Sequence, residues 1–195
     1  LAWLAALSTK AQVSSENYVQ TTERISDTQV LSTTEYYDGL GRPFEMVEQK
    51  KTPDGANLIH LKEYDGLGRD WKTWLPVKDA SDFLSISAAR SQGNNQYRDS
   101  HAFSLTEYDG SPLNRINTVE GVGAEWTSHP VKKDYLVNTS KYPLNCKYYR
   151  VSMQGQLQDK GYYPEGRLYV TKTTDENGNE SYEFKNIAGN VILKR

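Results

Sequence analysis

The hexapeptide Tyr37-Asp38-Gly39-Leu40-Gly41-Arg42 recurs unchanged as Tyr64-Asp65-Gly66-Leu67-Gly68-Arg69, 27 residues later. An internal repeat constrains the fold before anything else, because each copy must be one supersecondary unit that needs its neighbours to bury a face. A third copy is expanded: Tyr108-Asp109-Gly110-Ser111-Pro112-Leu113-Asn114-Arg115 keeps the opening triplet and reaches its arginine two residues late. Weaker echoes stand at Tyr163-Pro164-Glu165-Gly166-Arg167-Leu168 and at Phe184-Lys185-Asn186-Ile187-Ala188-Gly189-Asn190. β-prone segments flank the first two copies, at 30–36 and 44–49, then at 57–63 and 71–75. Between them, Asp-Gly followed by a second Gly supplies the positive φ that a tight reversal requires. Each copy therefore reads as a hairpin turn between antiparallel strands. The leading tyrosine packs across the pair, and the closing arginine reaches back to the aspartate or to a neighbouring carbonyl.

Other punctuation extends the pattern. Pro53-Asp54-Gly55 separates segment 44–49 from 57–63, and Glu176-Asn177-Gly178-Asn179 separates 168–174 from 180–185. A last strand is expected at 191–194. Segment 81–90 has mixed apolar spacing and reads as a short helix capped by Ser81, or as a loop. Segment 91–100 carries little apolar content and reads as a loop insertion. The fold expected is all-β, antiparallel hairpins in a twisted sheet that curls on itself, with at most one short helix near 81–90. Residues 12–195 are expected to form a single β-rich domain. The apolar run Leu1-Ala-Trp-Leu-Ala-Ala-Leu7, followed by Ser8-Thr9-Lys10-Ala11, reads as the remnant of a secretory signal peptide cut after Ala11. An amphipathic N-terminal helix is the competing reading. The run is too short to span a bilayer.

Charge and chemistry narrow the function. With 23 basic and 25 acidic residues the chain has no cationic excess to displace counterions, which argues against nucleic acid. Fourteen tyrosines and four tryptophans offset a hydrophobic fraction of only 36%, as suits sheets with one wet face. The single cysteine, Cys146, allows no internal disulfide and reads as a small buried residue. His60, His101 and His129 lack zinc-site spacing, and Asp175, Asn177 and Asn179 fail the EF-hand pattern at Glu180 and Asn186. No nucleophile elbow or phosphate-cradling loop is present. Asp38, Asp65 and Asp109 recur with the turns, and a repeated position argues for a repeated structural role. No catalytic residue, cofactor or metal is expected. A rival reading places a sugar on exposed aromatics. Trp71 and Trp74 are three apart, so a strand would bury one and expose the other, and Trp126 is a further candidate for stacking. The sequon Asn138-Thr139-Ser140 is also present.

Tyr-Asp-x-x-Gly-Arg units between strands resemble the YD repeats of Rhs proteins, toxin-complex subunits and teneurins. The doubled hexapeptide, Trp74-Leu75-Pro76, Ser111-Pro112-Leu113-Asn114-Arg115, Gly161-Tyr162-Tyr163 and Thr174-Asp175-Glu176-Asn177-Gly178-Asn179 occur in one order. That order is similar to the N-terminal domain of unknown function that precedes the repeats in large secreted bacterial Rhs-type proteins. The resemblance implies a non-enzymatic β-segment that forms or caps the N-terminal part of a shell around a C-terminal effector. Its partners would be the rest of the same polypeptide and that effector, and its location secreted or in the bacterial cell envelope. The alternative is a secreted or cell-surface adhesin or carbohydrate-binding module, whose partner would be a surface glycan or protein. Spacing between the motifs is longer than in regular repeats, so the segment is expected as a wall, a cap or a plug of such a shell.

Overall fold

The computed structural model describes residues 16–27 and 29–195. The signal-peptide reading of residues 1–11 lies outside the described residues. The rest is mostly antiparallel β-sheet with one short α-helix, so the expected all-β class is what the chain forms. Two compact units divide it, residues up to 106 with 121–125, and residues 107–120 with 126–195. Among the described residues no helix is long and apolar enough to cross a membrane.

The first unit is a meander. Strands β1 (Asn17–Arg24), β2 (Val30–Tyr37), β3 (Pro43–Glu48), β4 (Asn57–Tyr64) and β5 (Asp70–Trp74) pair in chain order, each antiparallel to the last. After Trp74 the chain leaves the sheet at Leu75-Pro76 and returns as β6 (Val77–Asp79), which occupies the other half of the same edge of β4. Proline suits that break because it has no N–H for the ladder. Helix α1 (Ile86–Tyr97) follows, and then β7 (Phe103–Tyr108), whose first residues pair with β5. The second unit orders β8 (Ile116–Glu120), β9 (Val131–Val137), β12 (Tyr169–Thr174), β13 (Glu180–Lys185) and β14 (Val191–Lys194). A separate ribbon of β10 (Lys147–Val151) and β11 (Leu157–Tyr162) lies in the chain between β9 and β12.

One reversal recurs six times. In each, the N–H of the first residue donates to the carbonyl of the fifth, and a glycine at the fourth donates back to the first, as the Asp38 N–H does to the Arg42 carbonyl at 3.0 Å and the Gly41 N–H to the Asp38 carbonyl at 2.9 Å. The same pair of bonds closes the turns that begin at Thr52, Asp65, Ser152, Asp175 and Asn186. The fourth-position glycine carries positive φ every time, +75° at Gly41 and +81° at Gly68. A Cβ there would be pushed toward the following carbonyl oxygen, so only glycine enters without strain. The first-position side chain completes the turn. Asp38 Oδ1 accepts the N–H groups of Leu40 and Arg42, both at 2.9 Å, and Asp65, Asp175 and Asn186 do the same in theirs. Gly39 and Gly66, the first glycine of each hexapeptide, do not adopt positive φ, so the conformational demand falls on the second glycine alone.

Three expectations are corrected. The helix begins at Ile86 and runs to Tyr97, so it is capped by Ser85 and not by Ser81, and it occupies most of the supposed loop at 91–100. Its Ser85 Oγ accepts the Ala88 N–H, and its buried positions are Ala89 and Gly93. Small residues one turn apart let the helix lie directly on Trp74, whose ring would stand 3.2 Å from a Cβ at Gly93. That face has too little apolar bulk to register as a hydrophobic stripe. The echo at 163–168 is no hairpin, because it leads from β11 to β12, which pair with different strands. The third YD copy closes by Asp109.N–Arg115.O at 2.9 Å, a wider loop in which Asn114, not a glycine, takes positive φ.

The turn geometry gives a direct test. Gly41→Ala should destabilise the chain by about 1 kcal/mol in urea unfolding, while Gly39→Ala should stay within about 0.5 kcal/mol, since neither site has a neighbour for the new methyl to strike. Equal losses at the two positions would refute the assignment of strain.

Candidate functional site

The richest concentration of buried polar groups lies on the inner face of the first unit. Period-2 alternation along β4 turns Asn57, Ile59, Leu61 and Glu63 inward, and register aligns Glu45 with Leu61 and Val47 with Ile59. Tyr36 joins them opposite Glu45, and Trp74, Val77 and Phe103 complete the apolar floor. Segment 75–102 covers this face, and four buried polar side chains bind it there. Tyr36 Oη donates to the Asp82 carbonyl at 2.6 Å. Asn57 Nδ2 donates to the Ser81 carbonyl at 2.9 Å and to Asp82 Oδ1 at 3.2 Å. Glu45 Oε1 accepts the Leu84 N–H at 3.0 Å. Glu63 takes Trp74 Nε1 at 2.7 Å and Arg90 Nε at 2.9 Å, with a second guanidinium contact from Arg90 to its other oxygen.

These anchors differ in electrostatics. Both oxygens of Glu63 are engaged, so the carboxylate is compensated where it is buried. Glu45 is 1% exposed and its Oε2 has no hydrogen-bond partner. Burial pushes its pKa up to about 7, against a smaller opposing pull from the Leu84 N–H. Burial, with Glu45 and Asp82 nearby, also pushes Tyr36 up to about 12. A shallow groove of about 700 Å³ passes beside Phe44, Glu63, Phe83 and Arg90. Both oxygens of Glu63 are engaged by Arg90 or Trp74 at the side of this groove. Chemically, the arrangement fastens a covering segment to a sheet.

The repeat residues are brought together in pairs. Arg42 Nε donates to Asp38 Oδ2 at 2.8 Å and Arg69 Nε to Asp65 Oδ2 at 2.7 Å, as the sequence predicts. Backbone N–H donation from the closing arginine, with its guanidinium, holds both aspartates below the usual carboxylate range. The Arg42 guanidinium also lies 4.5 Å above the ring of Tyr64, whose Oη donates to the Pro43 carbonyl at 2.7 Å. Successive hexapeptides are therefore clasped, the arginine of one to the tyrosine of the next. The second unit repeats the clasp: Arg115 lies 5.0 Å from the ring of Tyr135, which donates to the Ile116 carbonyl at 3.0 Å. In both, the hydroxyl reaches the carbonyl just after the arginine, and the planar cation stacks on the ring. Tyr37 instead donates to Glu35. Tyr135 carries no YD signature and was not singled out in the sequence; only register places it.

Of the three tryptophans considered for stacking, Trp74 is committed to the core. Trp74 is 7% exposed, packed 4.6 Å from Phe103, and has no face left for a sugar. Trp71 is half-buried with the Lys72 ammonium 4.3 Å over its ring. Trp126 is exposed on a short 3-10 turn, Ala124–Ser128. The sequon asparagine is equally committed. Asn138 is fully buried, its amide bonded to the Pro164 carbonyl and the Leu168 N–H, so it ties the β11–β12 crossing to β9. Cys146 is buried in the second core, which raises its thiol pKa. Among the described residues no group of three or more His, Cys, Asp or Glu side chains could hold a metal ion. Asp175 accepts Asn177 and Asn179 within its own turn.

Glu63 was not singled out in the sequence, although its phase with Ile59 and Leu61 is the signal that a charge there is buried and needs a partner. Its partner Arg90, 27 residues away, was not singled out either.

Two outcomes test the anchors. Because the folded pKa of Glu45 is raised, its contribution to stability is full below about pH 4.5 and is lost as pH rises to about 7, on the order of 3 kcal/mol. Glu45→Gln should abolish that loss, leaving a variant more stable than the parent at pH 8 by urea unfolding. Arg90→Ala strands a buried carboxylate and should cost about 3 kcal/mol at pH 7; Ser87→Ala on the same helix should cost under about 0.5 kcal/mol.

A family model with the description "Domain of unknown function (DUF6443)" matches residues 8–137, so the match ends with the last residue of β9. No curated protein and no solved structure matches the chain.

Proposed function

The chain belongs to the DUF6443 family, and for it we propose a non-enzymatic, structural role: a β-segment that forms or caps the N-terminal part of a shell of the Rhs/YD-repeat type, around a C-terminal effector of the same polypeptide. One observation carries the reading. Asp, the second Gly and Arg of both hexapeptides close their own hairpins, Arg42 also clasps Tyr64 of the next hexapeptide, and Asp38 commits both its oxygens within its turn. A motif that ties one hairpin to the next, as Arg42 does with Tyr64, suits a sheet built by adding hairpins in series. Among the described residues strand β14 lies last in the order of its sheet, with β13 as its one neighbour, and offers a row of backbone groups to a further strand. The buried anchors beneath segment 75–102 fit a cap or plug more closely than a bare wall, since they hold a helix and a loop over the sheet. A secreted or cell-envelope location follows from this reading.

Electron cryo-microscopy of the whole polypeptide encoded with this chain tests the proposal. The expected result is a further strand paired to the outer edge of β14 and a continuing sheet that encloses the domain beyond it. A β14 edge left open, with that domain outside any sheet, would overturn the shell reading.

A further inference from the structure

The outward face of the second-unit sheet is laid out as a grid. Register puts Val137, Tyr169, Lys185 and Val191 in one row across four strands, with Tyr135, Thr171, Glu183 and Lys194 beside it. Lys133, Thr173 and Ser181 form the next row. At the usual strand separation, four strands make a surface about 14 Å across. A shallow groove of about 600 Å³ follows it, lined by Lys133, Thr171, Thr173, Ser181, Lys185 and Lys194 among others. Tyr169 is 59% exposed at the head of the grid, and Val137 and Val191 in its row are each 47% exposed.

Charge is the second observation. The whole chain is formally −2, yet this face carries three lysines against one acid, Glu183, which Lys185 and Lys194 share at 2.7 and 3.0 Å. The shared glutamate fixes two ammonium groups in place while leaving a net positive surface. Lys185 stands directly across from Tyr169, and the hydroxyls of Thr171, Thr173 and Ser181 lead from the tyrosine toward Lys133. A flat ring with apolar neighbours, a hydroxyl ladder and spaced cations are together complementary to one chemistry. Sugar rings present an apolar face to an aromatic, hydroxyls to hydroxyls, and, where acidic, carboxylate or sulfate to lysine. A nucleic acid would call for a denser cationic track. A protein partner would call for a deeper apolar pocket at the centre of the patch.

We infer that this face binds an acidic polysaccharide, with Tyr169 stacking on a sugar ring and Lys133, Lys185 and Lys194 meeting its anionic groups. The site is distinct from the Trp71, Trp74 and Trp126 constellation, and the inference does not depend on the shell reading.

Affinity electrophoresis of the full chain through gels containing polygalacturonate or chondroitin sulfate is the test, with dextran as the neutral control and poly-glutamate as the polypeptide control. The expected result is retardation by at least one acidic polysaccharide, weakened by salt, and none by dextran. Tyr169→Ala and Lys133→Glu should each weaken it about tenfold with melting unchanged, while Tyr149→Ala, an exposed tyrosine on the separate β10–β11 ribbon, should leave it as it was. No retardation by either acidic polysaccharide, equal retardation by dextran, or retardation indifferent to Tyr169→Ala would overturn the inference. So would retardation by poly-glutamate with the same dependence on Tyr169, which would mark a protein partner. None of these outcomes bears on whether β14 accepts a further strand, so the two proposals fail separately.

Discussion

A single hydrogen-bonding constraint underlies both units: a reversal must satisfy its own backbone within five residues. In the turns at Asp38, Asp65, Asp175 and Asn186 the first side chain accepts two N–H groups, and the glycine three residues on supplies the positive φ that brings them into range. Unpaired N–H groups at a turn next to a sheet are costly when shielded from water, so the side-chain oxygen decides where a strand can end. Register follows from the turn, and register in turn decides which residues face the core. The placement of Glu45 against Leu61 is inherited from the turn at Thr52, several residues away.

Upon that frame the first unit adds something a plain meander lacks. Its inner face is covered by a segment that brings modest apolar bulk to the core, Val77, Phe83, Leu84, Ala89 and Ala102, so polar anchors complete the attachment. Three of the anchors are fully compensated. Glu45 is not, and its orphaned oxygen makes the attachment the most pH-sensitive element of the unit. The second unit meets the same problem with an amide: Asn138 has both donor and acceptor capacity, and it satisfies the crossing at 163–168 with no charge buried.

The clasps connect these levels. Arg42 closes its own turn through Asp38 and also stacks on Tyr64, so a change at one reversal is felt at the next. Such coupling explains why the hexapeptide is longer than the turn demands. The turn alone needs the aspartate and the second glycine; Arg42 adds a pair within its own turn and a contact to Tyr64 of the next hexapeptide. Leu40 and Leu67 serve neither and stand out in solvent.

The sequence by itself determined the reversals and the strands beside them. Segments 180–185 and 191–194 form the strands expected of them, and the strands at 30–37 and 57–64 run one residue beyond the expected ends. These features are local: side-chain oxygen, glycine and alternation act within a few residues, so their physics is complete in a short window. The tertiary structure alone decided the helix at 86–97, the burial of Trp74 and Asn138, and the clasp of Arg115 to Tyr135. Each depends on a partner far along the chain. Ala89 and Gly93 make a helix face only because Trp74 and Val77 lie beneath it, and the boundary between the units falls inside β7, where composition has nothing to mark. Short-range hydrogen bonding is written in neighbouring residues, whereas packing is a property of surfaces that exist only once the sheet has formed.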